Sequence, residues 1–395
     1  MRFETTKISD LISEISMGPF GSNIKVECFV DDGIPVLNGS NLEGFVLKED
    51  SFRYVTEEKA DSLGRANARK GDVVITHRGT LGQIVFIPAD SKHDRYVISQ
   101  SQFRVRCNER ILPEYLVYYF HTRIGQHKLL SNASQVGVPA LARASTTFQT
   151  IEIEVPSISE QTKIVSILET IRRKIELNEQ INNNLFQQAQ ALFKARFVDL
   201  LPFNGEMPSN WRSGTVSEVI ELHDSKRIPL SSRERAALAK VYPYYGATSI
   251  MDYVDRYLFD GIYLLLGEDG TVVDNAGYPI LQYVEGKFWV NNHAHILTGK
   301  NGFSVELLYL LFSLTNVASI VTGAVQPKIS QANLNKVPII IPSIEELRMM
   351  DDQVHPMFAQ IRNLRAENDR LATVRDTLLP KLMNGELDVS EVGDL

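Results

Sequence analysis

Apolar residues recur every three or four positions through two stretches of the chain. They are Ile164, Leu168, Ile171, Ile175, Leu185 and Leu192 in the first, and Met350, Val354, Met357, Ile361, Leu364, Leu371 and Leu378 in the second. Such spacing lays one apolar stripe along an α-helix, the seam of a coiled coil. Each stretch opens on a proline, Pro156 or Pro342, followed by Ser157-x-x-Glu160 or Ser343-x-x-Glu346, the side-chain pair that caps a helix start. A helix over about 159–200 extends roughly 60 Å at about 1.5 Å per residue. It cannot bury its stripe alone, and the simplest partner is the other copy, giving an antiparallel pair. Asn182 and Asn368 fall at equivalent seam positions, where a polar side chain fixes register. Pro356 lies inside the second stretch and is expected to kink that helix or delay its regular start.

Elsewhere the pattern shortens. The runs VVITH (73–77), QIVFI (83–87), IYLLL (262–266) and VPIII (337–341) predict strands, while 113–130 and 304–314 carry the spacing of amphipathic helices. These blocks also repeat. Residues 155–184 align with 341–370 without a gap, EYLVYYF (114–120) matches ELLYLLF (306–312), Val138-Pro139 answers Gln326-Pro327, and GDVVITHRG (71–79) faces DGIYLLLGEDG (260–270). GIPVLNGS (33–40) pairs with VYPYYGATS (241–249) at a larger offset, so the first copy is longer between these blocks. A repeat of this kind governs the whole fold. The segment 200–211, with two prolines and a glycine, reads as the linker out of the first helix. The expected class is therefore α+β: two mixed α/β globular domains (1–156 and 202–342), separated by two long antiparallel coiled-coil helices (157–201, and 343–395 with a C-terminal tail), with a pseudo-twofold internal repeat.

Composition narrows the function. At 395 residues and 44% hydrophobic, the chain can build two ordinary cores. Cys28 and Cys107 form no metal-ligand spacing and read as free thiols in a reducing compartment. No apolar run approaches the roughly 18 residues of a membrane span, which points to the cytoplasm and to no membrane partner. The net charge of -7 argues at first against nucleic acid. Most of it sits in 343–395, with 6 basic and 11 acidic side chains, while 1–156 carries 18 and 19. Basic residues cluster locally as Arg65, Arg69, Lys70, Arg78 and as Lys92, Arg95, Arg104, Arg106, Arg110, although a salt-bridged surface accounts equally for each.

Catalytic motifs are missing. There is no GxxxxGK[ST], no GxGxxG after a strand, no GxSxG and no HExxH. His293-x-His295 offers two imidazoles, but a surface or packing pair is the simpler reading and no metal is assigned. Asp260, Glu268, Asp269 and Asp274 resemble a nuclease carboxylate set less than a solvated turn around Gly267 and Gly270. What the sequence displays twice is polar, glycine-punctuated loops. Their residues suit base edges and phosphates: Ser22, Asn23, Lys25, Asn38, Arg69, His77, Arg78, Thr80, Gln100 and Gln102 in the first copy, and Lys226, Arg227, Tyr245, Thr248, Asn292, His293, Gln326, Lys328, Ser330 and Gln331 in the second.

Five blocks carry a family resemblance: GPFGS (18–22), 156–171, 242–270, 323–347 and RDTLLPKLMNGELDV (375–389). In this order, and over essentially the whole length, the chain resembles the specificity subunit of type I restriction-modification systems. The resemblance implies two target-recognition domains, each reading one half of a split site in double-stranded DNA, and long helices that space them and dock two methyltransferase subunits. It implies further that restriction (helicase-nuclease) subunits join the complex, and that S-adenosylmethionine, ATP and magnesium are bound by partners and no cofactor by this chain. The two N-terminal halves differ, the first having GPFGS and the second none, so unlike half-sites are expected. In the second helix EELRMM stands where the first has EQTKIV. A duplicated scaffold that binds proteins along its coiled coil remains the alternative.

Overall fold

The computed structural model describes residues 2–134, 137–323 and 325–389. The chain forms two compact units, one comprising 1–175 with 369–395 and the other 176–368. Each takes one end of each long helix. The first long helix spans Ile158–Phe193 and closes in a π-helical turn, Lys194–Val198, and the second spans Ile344–Met383.

In the first unit, strand Glu4–Lys7 pairs antiparallel with Glu152–Val155. A four-stranded antiparallel sheet follows in the order Ile12–Met17, Gln102–Cys107, Asp72–Thr76, Ile84–Phe86. Helix Pro113–His121 packs on it, burying Tyr115, Leu116, Tyr118 and Phe120 with Val73, Ile75 and Phe103. The predicted helix over 113–130 is in fact two, because the Thr122 side chain caps a second helix, Arg123–Leu130, through the Gly125 amide (3.0 Å). A smaller sheet runs Arg53–Val55, Ile34–Val36, Arg95–Val97, Asn67–Arg69. Ile164 and Leu168 of the first long helix, with Leu379, Leu382 and Met383 of the second, close the core.

The second unit repeats this plan. Arg212–Thr215 pairs with Pro338–Ile341, and its six-stranded sheet runs Ile220–Leu222, Ala294–Gly299, Phe259–Gly267, Leu281–Val290 in the same order and continues through Tyr242–Tyr245 to Ile250–Val254. Tyr242–Tyr245 corresponds to Ile34–Val36: each pairs antiparallel with the strand that follows it and parallel with a later one, Val36 against Val97 and Tyr244 against Trp289. The proposed pairing of 33–40 with 241–249 therefore holds. The extra length of the first copy lies partly between Val36 and Arg53, which holds the turn Gly39–Leu42, and partly between Val55 and Asp72, where it adds helix Glu57–Ser62 and strand Asn67–Arg69.

The helices keep their predicted polarity. In the second unit Asn178 meets Glu367 and Asn368, Phe186 meets Phe358, and Arg196 meets Glu346, so the two segments run antiparallel. Asn178 is fully buried, and its amide donates to Glu367 Oε2 and to Asn368 Oδ1 at 2.8 Å each, a polar contact across the seam that involves Asn368. Asn182 lines a pocket with Phe186, Phe358 and Arg365. Further along, Leu192 is 37% exposed and Ala189 and Phe193 are buried, as a helix of about 3.6 residues per turn drifts against a seven-residue stripe. Pro356 neither delays nor ends the second helix, which begins at Ile344 and runs on past it. Packing of Val354, Phe358 and Ile361 on both sides outweighs the missing amide.

The two helix starts differ for a local reason. Ser157 and Glu160 form the full reciprocal cap: the Ser157 amide donates to Glu160 (3.0 Å) and the Glu160 amide to Ser157 Oγ (3.3 Å). At the second start the Glu346 amide reaches Ser343 Oγ (3.3 Å), but the Glu346 carboxylate pairs with Arg196. One residue on, Gln161 is buried and binds the Leu112 amide (2.9 Å) and the carbonyls of Arg110 (2.9 Å) and Pro156 (3.0 Å). Its counterpart Leu347 sits apolar against Gly302, whose φ of +90° only glycine adopts readily. Packing inside each unit thus accounts for this part of the EQTKIV and EELRMM difference.

Candidate nucleic-acid interface

Three backbone hydrogen bonds set the loop tips of the first unit. The His77 amide donates to the Ser101 carbonyl (2.9 Å), the Leu141 amide to His77 (2.9 Å), and the Gly79 amide to Pro139 (2.9 Å). The second unit forms the same set: Glu268 to His293 (2.8 Å), Ile329 to Glu268 (2.8 Å), and Gly270 to Pro327 (3.0 Å). Arg78 bridges Ala140 as Asp269 bridges Lys328. Gly79 and Gly270 hold φ of +93° and +84° with open space where a Cβ would stand, so backbone conformation and not crowding requires glycine there.

In the first unit this frame gathers much of the predicted set. A cleft of about 590 Å³ is lined by Asn23, Arg65, His77, Arg78 and Gln100, drawn from four separate segments. Arg65 and Arg78 are exposed and have no ion pair among the described residues. Burial lowers the pKa of His77, against the raising effect of the Gln100 carbonyl at 3.1 Å from Nε2, so the ring is neutral at neutral pH. A second cleft of about 460 Å³ holds Asn38, Gln100, Phe29 and Arg53, the Arg53 guanidinium lying 5.2 Å from the Phe29 ring centre. Asn38 also caps the turn Gly39–Leu42, its Oδ1 accepting from the Ser40 amide (2.8 Å). Lys25, Arg69 and Thr80 are exposed but line neither cleft. Ser22 belongs to the 3-10 turn Gly21–Asn23, and its side chain lies outside the described part.

Gln102 is not a surface group. It is 1% exposed, accepts from the Ser99 amide (2.9 Å) and donates to the Asn38 carbonyl (3.2 Å), holding two loops together from beneath. The basic cluster after it is similarly committed. Arg104 is buried against Glu14 (2.8 Å) and Asp72 (3.4 Å), Arg106 binds Asp72 (2.8 Å), Lys70 binds Asp94 (2.7 Å), and Arg95 binds Asp61. Cys107 beside them has its thiol pushed up to about 12, first by burial and then by nearby carboxylates, and both cysteines are free.

The second unit spends its predicted residues differently. His295 is buried, with Nδ1 2.6 Å from Asp224 Oδ2 and Nε2 2.8 Å from the Ile329 carbonyl. Arg227 binds Glu268 (2.6 Å) and Asp224 (3.3 Å), Lys328 binds Glu268 (3.1 Å), and Gln331 donates to Asp224 (2.6 Å). Arg227 is therefore drawn against the carboxylates, whereas Gln331 stays exposed while donating to Asp224. Burial acts to raise the pKa values of Asp224 and Glu268, but hydrogen bonds from His295 and from Arg227, with the surrounding positive charge, hold both below the usual carboxylate range. Ligand-capable atoms of Asp224, Glu268 and His295 lie within 4.8 Å of one another, and the positive charge between them comes from the chain's own guanidinium and ammonium.

His293 does not join His295: its ring faces Asp269. Asp274 caps a turn through the Ala276 and Tyr278 amides (2.9 Å each), so the four acids form no carboxylate set. Ser330 caps the short helix Gln331–Leu334, and Tyr245 packs edge-on against Phe288. Lys226, Thr248, Asn292 and Gln326 remain exposed on the surface. Sequence reasoning missed Asp224 entirely, since one aspartate in HDSKR carries no periodic signal. It also missed Asn178, although that residue falls on the same three-four spacing as Ile175 and Asn182.

The profile of a family described as "Type I restriction modification DNA specificity domain" matches residues 4–187 and, again, 208–371. The chain belongs to this family. Its duplication is thus a duplication of the specificity domain. Among curated relatives, the type I restriction enzyme MjaIX specificity subunit of Methanocaldococcus jannaschii is 24% identical, covering 99% of this chain and 94% of that one. The HindI specificity subunit of Haemophilus influenzae is also 24% identical, covering 87% and 93%. A crystal structure of the S subunit of a type I restriction-modification system from M. genitalium aligns with a TM-score of 0.57 at 15% identity over 97% and 96% of the two chains, a likeness of fold. Among the described residues, no helix is long and apolar enough to cross a membrane.

Proposed function

We propose that this specificity subunit selects the DNA target of a cytoplasmic type I restriction-modification complex, each specificity domain reading one half of a split, asymmetric site. The observation that carries this reading is the repeated backbone frame at residues 77–79 and 268–270, which fixes a loop cluster twice while the side chains on it differ. Different side chains on one frame suit two unlike half-sites, since sequence is read by groups at base edges. The long helices space the domains and offer the docking surface for two methyltransferase subunits. Methyl transfer and ATP-driven cleavage belong to partner subunits, which bind S-adenosylmethionine, ATP and magnesium.

The test is binding of the chain, assembled with its methyltransferase, to duplexes selected from a random pool. A split target should be enriched, and affinity for it should fall steeply with salt, by roughly 0.9 log unit per log unit of salt for each phosphate contact. Deleting about one heptad from each helix should shorten the accepted spacer. Salt-insensitive binding, or no enriched duplex from a demonstrably assembled complex, overturns the DNA reading in favour of a protein scaffold.

A further inference from the structure

Phe20 is 82% exposed, and it stands where two clefts meet. The cleft containing Arg65, His77 and Arg78 and the cleft containing Asn38 and Arg53 share Pro19, Phe20, Gly21 and Gln100 as a common wall. Phe20 therefore stands between two clefts, each with a guanidinium in its lining. Single exposed apolar residues are ordinary on protein surfaces; one standing between two cationic clefts has a more specific geometry.

Its backbone is tied down at several points. Strand Ile12–Met17 delivers the loop, the Gly18 amide donates to the Gln102 carbonyl (2.8 Å), and the Asn23 amide donates back to the Phe20 carbonyl (2.8 Å). Gly18 lies so close to the 99–102 turn that a Cβ would collide with the Ser99 carbonyl, and a Cβ on Gly21 would strike the Gln100 side chain. Pro19 fixes φ between them. The loop is seated on the turn that buried Gln102 ties to Asn38, so the backbone that carries the exposed ring is anchored.

We propose that Phe20 is a wedge that enters a base step of the first half-site, with the DNA strands passing into the two clefts. An apolar ring that unstacks one step, flanked by cations for the phosphates, opens and kinks a duplex and favours steps that unstack easily. Phe20 thereby becomes a specificity-determining residue that forms no hydrogen bond to a base. This rests on the DNA reading above.

The experiment uses the assembled complex and its selected duplex, with 2-aminopurine placed in turn at each step of both half-sites. Wild type and Phe20→Trp should brighten the probe at one step, and Phe20→Ala should lose that signal and bind roughly ten-fold more weakly, with an unchanged melting temperature. A duplex bound by all three proteins with no brightening at any step, or with brightening that persists in Phe20→Ala, overturns the wedge while leaving the DNA reading intact. Weaker binding by Phe20→Ala without an aminopurine signal in wild type also overturns it, reducing Phe20 to a surface contact. If no duplex is selected at all, the DNA reading fails and the wedge with it.

Discussion

The tip loop His77-Arg78-Gly79 of the first unit and Glu268-Asp269-Gly270 of the second share three backbone hydrogen bonds and a left-handed glycine, yet they carry opposite charge. In the first, Arg78 is exposed and His77 is neutral, and nothing acidic among the described residues answers them. In the second, Glu268 and Asp269 are answered at once by Arg227, Lys328 and His293, with His295 and Asp224 beneath. One frame thus supports an outward cationic tip and a self-neutralised one. The difference explains why the net charge was a poor guide: the charge that matters is the part left unpaired at a tip.

The largest effect that separates the two loops should come from the buried network. Asp224→Ala leaves His295 and Arg227 without their shared carboxylate and should cost about 3–5 kcal/mol in chemical denaturation. Gln102→Ala, which removes the neutral support under the first loop, should cost only about 1 kcal/mol. Equal losses would remove the distinction. Because the folded pKa values of Asp224 and Glu268 are depressed, their stabilisation is complete above the ordinary carboxylate value of about 4 and is lost as pH falls through the lowered ones. The stability gap between wild type and Asp224→Asn should therefore be level from about pH 5 upward and shrink below about pH 4.

A smaller effect falls on DNA. Arg78→Ala should lower the salt dependence of binding by about 0.9 log unit per log unit of salt, one phosphate contact, with no change in stability. Lys328→Ala should do less, because Glu268 already holds that ammonium. A larger loss at Lys328 than at Arg78 would reverse the reading of the two tips. The smallest difference concerns the helix starts: Ser157→Ala should destabilise by about 1 kcal/mol and Ser343→Ala by less, since only the first cap is reciprocal.

Much of this architecture was legible in the amino-acid pattern because it rests on periodicity. The seam residues Ile164, Leu168, Val354 and Ile361 are buried as their spacing requires, and VVITH and IYLLL are strands. The Pro139 and Pro327 correspondence was visible as a dipeptide and is realised as a pair of carbonyl acceptors. What escaped depends on contacts between distant segments. Gln102 and Gln100 are both glutamines of one turn, and only the fold decides that the first is buried and the second exposed. Likewise Arg227 reads as a free cation until strands Phe259–Gly267 and Ala294–Gly299 bring Glu268 and the backbone around His295 against it. The second helix starts at Ile344 without the delay that Pro356 could impose, because tertiary packing outweighs a local rule.

The bonds that hold the tips at 77–79 and 268–270 run from peptide N–H to peptide C=O, so they do not depend on side-chain identity. Side chains at positions 78 and 140 can vary without breaking this frame, while those at 269 and 328 also touch His293 and Glu268; proline at 77, 141, 268, 328 or 329 would delete a donor, and a side chain at Gly79 or Gly270 would strain the turn. This separation gives the tips high evolvability: their chemistry can drift freely under selection for new targets while a few peptide groups keep the scaffold constant. Randomising positions 78 and 140 should therefore yield libraries that are mostly folded.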